Sequence, residues 1–322
     1  MAVAPFLMYR TASTTSMNLP SLSLLDVPAN DCETELSLHR RLARRNELRF
    51  RPTFEGELSV SALQEEMADR LIEESFVGRA RTTVEPGLAN VPDDADAFIA
   101  WFEGLAEHGP GQGDPLFPWL AEEATLEQMR WFLGQEVAGE AGFEDLLALA
   151  QLKMPVRAKL ELARNFWDEM GQGHEVGMHG PLLARLADDL NVHLPPRQIL
   201  VAPLCLANLL SALAWNRRYA FQALGALGAI ELTAPGRAAF VNAGLRRLGF
   251  PPETRKYFAL HATLDVKHSA AWNREVLRPL VAAEPRCARA FAEGALLRLQ
   301  AGADCFVAYR AHLWSKSARA CA

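Results

Sequence analysis

The chain has 322 residues, of which 50% are hydrophobic, and it carries a formal net charge of −6. That length allows one large domain or two ordinary ones, and the lack of a long basic block gives no support for binding nucleic acid or an anionic membrane. The five cysteines are dispersed without a C-x-x-C pair, which is typical of reduced thiols in a cytoplasmic protein.

The first third of the chain predicts a leader followed by helices. Residues 1–30 are rich in Ser, Thr, Pro and Asn and show little periodicity, which is typical of a disordered leader. Helices are predicted over residues 33–46, 59–74 and 95–107. We therefore expect an N-terminal helical extension over residues 31–110.

The remainder, residues 111–322, follows a linker rich in Gly and Pro and predicts one helical domain. Thr125 and Gln128 form a capping pair for a helix at 126–139. Pro235 and Gly236 are expected to end a long apolar segment, which predicts a buried helix rather than a membrane span. The other helices are predicted at 143–152, 156–170, 179–190, 199–232, 238–248, 253–270, 272–280, 285–301 and 304–315.

No segment alternates between polar and apolar residues as a half-buried strand does. The composition, dominated by Leu, Ala, Glu and Arg, also favours helices. The fold class predicted from these patterns is all-α, a bundle of about seven core helices with an extra N-terminal helical segment.

Three potential metal ligands, His261, Asp265 and His268, are spaced at i, i+4 and i+7 in a predicted helix. That spacing places them on one helix face. Two imidazoles and a carboxylate together can bind a divalent transition metal such as iron. The alternative is a solvent-exposed polar stripe with two incidental histidines.

A second pair of potential ligands, Glu169 and His179, flanks a glycine-rich turn. Gly171 and Gly173 allow the backbone to bend, so both side chains can point to one place. An acid at a helix C-terminus opposes the helix dipole, so Glu169 does not serve helix stability. The alternatives are an ordinary helix end and Glu175, four residues before His179, as the ligand.

Two further carboxylates come from separate predicted helices. Glu231 ends an apolar segment, where a carboxylate is costly unless it is paired or exposed at the helix end. Glu136 follows two aromatic residues, and Glu140 and Glu144 compete with it on nearly the same face. An exposed helix acid is the alternative for each of the last three.

The combined set is typical of a di-iron or di-manganese carboxylate site in a helical bundle. The predicted metal ligands are Glu169, His179, Glu231, His261, Asp265 and His268, with Glu136 as a further candidate. Ferritin-like proteins would supply two Glu-x-x-His motifs, and this sequence has none.

The order of these motifs resembles the haem-oxygenase-like di-iron oxidases, within the group of iron-containing redox enzymes. The similarity lies in Asp-Glu-x-Gly-x-Gly-x5-His, a Glu about fifty residues later, and His-x3-Asp-x2-His, and it covers residues 113–290. The resemblance implies a haem-oxygenase-like bundle and assigns the six ligands named first above. It also implies an additional carboxylate ligand from the first helix of the di-iron domain. This ligand is assigned less firmly, and Glu136 is our choice for it.

The resemblance also implies two Fe2+ ions as cofactor, with manganese as an alternative, and O2 as co-substrate. It implies oxidation of a small molecule, with N-oxygenation of an amine ahead of oxidative C–C cleavage, because an N-oxygenase of the family has similar spacing. An external electron donor and a homodimer remain open. The alternatives from other classes are a metal-free helical hydrolase and a non-catalytic binding protein.

Overall fold

A computed structural model describes residues 32–52, 54, 59–192 and 194–320, so the leader predicted at residues 1–30 lies outside the described residues. Within those ranges the chain forms α-helices and no β-strand, which confirms the predicted all-α class. The helices are α1 (Cys32–Phe50), α2 (Val60–Val84), α3 (Ala95–His108), α4 (Leu116–Glu122), α5 (Leu126–Gly139), α6 (Phe143–Ala150), α7 (Val156–Glu169), α8 (His179–Asp189), α9 (Val201–Trp215), α10 (Ala220–Arg247), α11 (Lys256–Trp272), α12 (Arg278–Ala283) and α13 (Arg286–Ala320).

The start of α5 has the predicted capping pair. The Thr125 hydroxyl accepts a hydrogen bond from the Gln128 backbone N–H at 3.3 Å, and the Gln128 side chain accepts one from the Thr125 N–H at 2.8 Å. These bonds satisfy two of the N–H groups that a helix start leaves unpaired. The first residue of α5 was therefore predictable from sequence.

Helix α10 runs through Pro235 without interruption, so the helix end predicted at Pro235 and Gly236 is wrong. A proline inside a helix removes one hydrogen bond and costs about 3 kcal/mol. Here α10 packs against α4, α9, α11 and α13, and this burial outweighs the cost. The long apolar segment is interrupted earlier, at Asn216, whose backbone is extended and whose side chain accepts a bond from the Arg218 N–H.

A second boundary also differs, because α13 continues through residues 302 and 303, where two helices were predicted. Helix α13 lies very close to α10. A Cβ at Gly225 would overlap the backbone of Phe291, and one at Gly294 would overlap the backbone of Gln222. The two helix backbones therefore approach closely at Gly225 and Gly294, and α10 is fixed between α11 and α13 at the centre of the bundle.

The N-terminal helices pack onto this bundle, α1 against α9 and α2 against α13. The Arg49–Glu73 ion pair, at 2.8 Å and with both side chains buried, joins α1 to α2. The division of the chain near residue 110 stays a prediction. Among the described helices, including the apolar α9, none has the length and hydrophobicity that a membrane span requires.

Candidate metal centre

The turn between α7 and α8 brings Glu169 and His179 together. Gly171 and Gly173 have φ angles of +60° and +85°, which a glycine adopts without strain. An isolated antiparallel bridge between Met170 and Met178 closes this turn. As a result His179 Nδ1 lies 2.6 Å from Glu169 Oε2, and both side chains are buried.

The predicted face of α11 points into the protein, so the alternative of a solvent-exposed stripe is wrong. Asp265 is 2% exposed and His268 is 6% exposed. His261 is half-buried, and its ring lies 4.6 Å from the ring of His179, measured between centroids. The i, i+4, i+7 spacing therefore places all three side chains toward the turn that holds Glu169.

Glu231 lies inside α10 rather than at a helix end, and it is 2% exposed. Its Oε1 accepts a hydrogen bond from Asn165 Nδ2 at 2.6 Å, and its Oε2 lies 3.4 Å from His268 Nδ1. The alternative of an exposed helix acid is therefore wrong for Glu231. The carboxylate is held by α7 on one side and faces α11 on the other.

These side chains form two groups of potential metal ligands that share Glu169. One consists of Glu169, His179 and His261, and the other of Glu169, Glu231 and His268. The ligand atoms of each group lie within 4.8 Å of one another. Asp265 lies between the two histidines of α11 and lines the same cavity, although it is in neither group. One carboxylate shared by two groups is an arrangement that can bridge two metal ions.

Four buried ligand atoms at this point make no well-directed hydrogen bond among the described residues: His179 Nδ1, Glu231 Oε2, Asp265 Oδ1 and His268 Nδ1. The two histidine nitrogens lie against carboxylate oxygens, His179 Nδ1 at 2.6 Å from Glu169 and His268 Nδ1 at 3.4 Å from Glu231, and Asp265 Oδ1 has no such contact. A buried polar atom without a hydrogen bond costs about 1–3 kcal/mol, so such a cluster needs a reason. All four are nitrogen or carboxylate oxygen atoms, which iron and manganese accept as ligands. The side chains present therefore fit a metal centre.

The histidine rings are oriented by neighbours outside the ligand groups. The backbone carbonyl of Tyr257 lies 2.7 Å from His261 Nδ1 and can only accept, so this nitrogen carries the proton and Nε2 is left for a metal. In the same way, Asp168 Oδ2 accepts from His268 Nε2 at 3.2 Å, which leaves Nδ1 facing Glu231. A carboxylate or carbonyl behind the ring is the usual support of a metal-binding histidine.

Without a metal the site crowds negative charges together. Burial, followed by the charges of Glu231 and Glu169, raises the pKa of Asp265 to about 10. Burial, followed by the nearby His179, lowers the pKa of His261 to about 4. For His268, burial alone lowers the pKa, but its contacts with Glu231 and then Asp168 raise it to about 9. Bound cations would neutralise these carboxylates.

The three candidates for the additional carboxylate ligand occupy different places. Glu136 is in neither ligand group; the Tyr309 hydroxyl donates to it, and burial raises its pKa. Glu140 is exposed and accepts a hydrogen bond from the Gly142 N–H at 2.9 Å. Glu144 interacts with Glu169 and His179. The choice of Glu136 stays a prediction, and Glu144 is better placed beside the first ligand group.

A cavity of about 170 Å³ connects the ligands to the interior of the bundle. Glu169, Glu231, His261 and Asp265 line one part of it, and Arg237 and Arg298 line another. Much of the remaining wall is aromatic or aliphatic. A small organic molecule in this cavity would contact both the ligand groups and the two guanidinium groups.

Sequence reasoning missed three side chains around the cavity. Asn165 lies one helical turn before Glu169 on the same face of α7, so its spacing was a usable signal. Asp168 entered the sequence analysis only as the Asp of the Asp-Glu-x-Gly-x-Gly motif, without a role of its own. Arg298 has no signal in the sequence, because α13 contains several arginines and their orientation depends on packing.

Comparison with known proteins places this geometry in context. The sequence model of the iron-containing redox enzyme family matches residues 130–303, which include every predicted ligand. A crystal structure of a CADD-like protein of unknown function from Nostoc punctiforme is 21% identical, with a TM-score of 0.54, and the match covers 68% of this chain and 98% of that one. A second crystal structure of that protein matches with a TM-score of 0.51, 21% identity and coverages of 69% and 96%. No curated protein matches the chain.

Proposed function

Because the chain belongs to the iron-containing redox enzyme family, we propose that it is a non-haem di-iron enzyme that uses O2 to oxidise a small molecule. The observation that carries the proposal is the pair of buried ligand groups that share Glu169. Two-metal sites in helical bundles are built from carboxylates and histidines that project inward from separate helices, as these do.

In this proposal one iron is held by Glu169, His179 and His261, and the other by Glu169, Glu231 and His268. Asp265 joins them as the remaining carboxylate. Two ferrous ions bound there would supply the electrons for O2 reduction. Manganese is the alternative metal for the same ligands.

The other side chains of the site have positioning roles. Asp168 and the Tyr257 carbonyl hold the rings of His268 and His261 in one orientation. Asn165 fixes the Glu231 carboxylate. Such supports keep ligands in place when a metal is absent and strengthen their binding when it is present.

Glu140 also lines the cavity, and its exposed carboxylate, which accepts a hydrogen bond from the Gly142 N–H at 2.9 Å, can exchange protons with solvent. The apolar part of the cavity wall keeps bulk water away from the reacting groups.

A metal-free enzyme with a cysteine nucleophile fits the described residues less well. Burial raises the pKa of Cys205 to about 12 and that of Cys287 to about 11. Cys305 is also buried, and burial raises its pKa further. A nucleophilic cysteine requires a lowered pKa, and none of these three thiols has one.

For the reaction we propose N-oxygenation of an amine or amino-acid-derived substrate, with electrons from an external donor. Oxidative C–C cleavage or decarboxylation of an amino or fatty acid is the second candidate. The specific observation that favours it is the pair of arginines in the cavity wall, which suits an acid substrate.

The proposal is tested by adding Fe(II) anaerobically to the full chain, counting iron, and then exposing the protein to O2 while recording optical spectra. We expect about two irons per chain and an absorption band that depends on O2. Less than one iron per chain without such a band would refute the di-iron proposal. Retention of activity after loss of His261 or His268 would favour the metal-free alternative.

A further inference from the structure

The cavity contains a second set of charged groups, which the metal site does not use. Arg298, from α13, makes no hydrogen bond and no ion pair within 4.0 Å with any residue in the described parts of the chain, and its Nε is buried without a partner. A buried guanidinium is costly unless it is paired. Elsewhere in the bundle the rule holds, since the buried guanidinium of Arg49 pairs with Glu73 at 2.8 Å.

Arg237, from α10, lines the same part of the cavity. Its Nη2 donates one hydrogen bond, to Thr233 Oγ1 at 3.1 Å. Its Cζ lies 6.0 Å from the ring centre of Phe117 and 5.6 Å from that of Phe306. Four of the five guanidinium N–H groups therefore have no hydrogen-bond acceptor among the described residues.

The two guanidinium groups lie near enough to repel each other. Burial, followed by the charge of Arg298, lowers the pKa of Arg237 to about 9. The carboxylate of Glu136 opposes this effect, but it makes no ion pair within 4.0 Å with either arginine in the described structure. The positive charges of Arg237 and Arg298 are therefore only partly balanced by Glu136, and a second anion would balance the remainder.

We infer that Arg237 and Arg298 bind the carboxylate of the substrate, so that the enzyme acts on a small carboxylic acid with an apolar body. The inference rests on the proposed function and names the substrate class for that site. Arginine binds a carboxylate through paired, charge-assisted hydrogen bonds. The aromatic side chains of Phe117 and Phe306 beside the arginines provide the apolar contact surface.

The position of this subsite sets the shape of the acid. Arg237 lies six residues after Glu231 on α10, which separates their backbones by about 9 Å along the helix axis. The cavity, about 170 Å³, is near the ~150 Å³ that accommodates benzene, so long-chain acids do not fit inside it.

The test is calorimetric binding of hexanoate and of its neutral analogue hexanamide to the full chain under anaerobic conditions. We expect the wild-type protein to bind hexanoate about tenfold or more tightly than hexanamide, because a charge-assisted hydrogen bond exceeds a neutral one. Arg298→Met and Arg237→Met should each weaken hexanoate binding by about tenfold or more and leave hexanamide binding within about twofold.

Arg246→Met is the matched control, since Arg246 is an exposed arginine on the same helix as Arg237. It should change neither affinity. The melting temperature of Arg298→Met should equal or exceed that of the wild type, because the change removes an unpaired buried charge. A merely structural arginine would instead lower it.

The inference is overturned if wild type shows no preference for the acid over the amide for chains of four, six and eight carbons. It is also overturned if both arginine variants keep that preference. Because acid binding is measured on the metal-free protein, where no iron can bind the carboxylate, its result is independent of the iron count. A normal iron count without acid preference removes the subsite alone, whereas acid preference without iron binding supports the subsite and removes the di-iron proposal.

Discussion

Replacing Asp265 by Asn should change metal binding and metal-free stability in opposite directions. The carboxyl group is 2% exposed, and burial together with Glu231 and Glu169 raises its pKa from 3.8 to about 10. Between these values the unfolded chain has lost a proton that the folded metal-free protein keeps, so stability falls as the pH rises. At 1.36 kcal/mol per pH unit, the accumulated cost at pH 7 is about 4 kcal/mol.

Denaturant titration of the metal-free proteins at pH 5 and pH 8 measures this cost. The wild type should lose stability between the two values, and Asp265→Asn should lose less and be the more stable protein at pH 8. After anaerobic Fe(II) addition the variant should retain fewer irons, because an amide is a poorer ligand than a carboxylate. The exposed change Glu175→Gln should alter neither result. Full iron retention, or lower stability than wild type at pH 8, would refute the reasoning.

Three further predictions concern the support of the ligand histidines, the choice of an additional carboxylate ligand and the packing of the bundle. Asp168→Ala should weaken iron binding about 10- to 100-fold in chelator competition, because it removes the carboxylate behind a ligand histidine. Glu144→Gln should weaken iron binding, while Glu136→Gln should leave it unchanged. The reverse result would identify Glu136 as the additional carboxylate ligand. Gly225→Ala should lower the free energy of unfolding by about 1–3 kcal/mol, since a Cβ would overlap the backbone of α13. Gly78→Ala, with open space around it, should not.

The spacing of the ligands was the most predictable part of the site, because it depends on local geometry. His261, Asp265 and His268 share a face on any regular α-helix, and α11 is regular over all three. The bend at Gly171 and Gly173 was also local, since the backbone there has positive φ angles. Both features are set by residues within one or two helical turns of the ligands.

The features that were not predicted depend on contacts between distant segments. Pro235 should end a helix by its own chemistry, yet α10 continues because neighbouring helices bury it on several sides. The role of Arg298 depends on which face of α13 meets the cavity, and no periodic pattern distinguishes it from other arginines of that helix. Glu144 was preferred over Glu136 only after α6 could be seen beside the start of α8.

Helix α10 fixes the relative position of the candidate metal site and the proposed anion subsite. It carries Glu231 at the ligand groups and Arg237 at the arginine pair, so the distance between the two ends depends on one backbone. Each end contains polar atoms that are unpaired in the protein itself, which lowers the stability of the unliganded fold. Close packing of α10 against α13 holds these atoms in place regardless. The cavity walls are therefore preorganised, and under the proposed function iron at one end and an acid at the other would supply partners for these polar atoms.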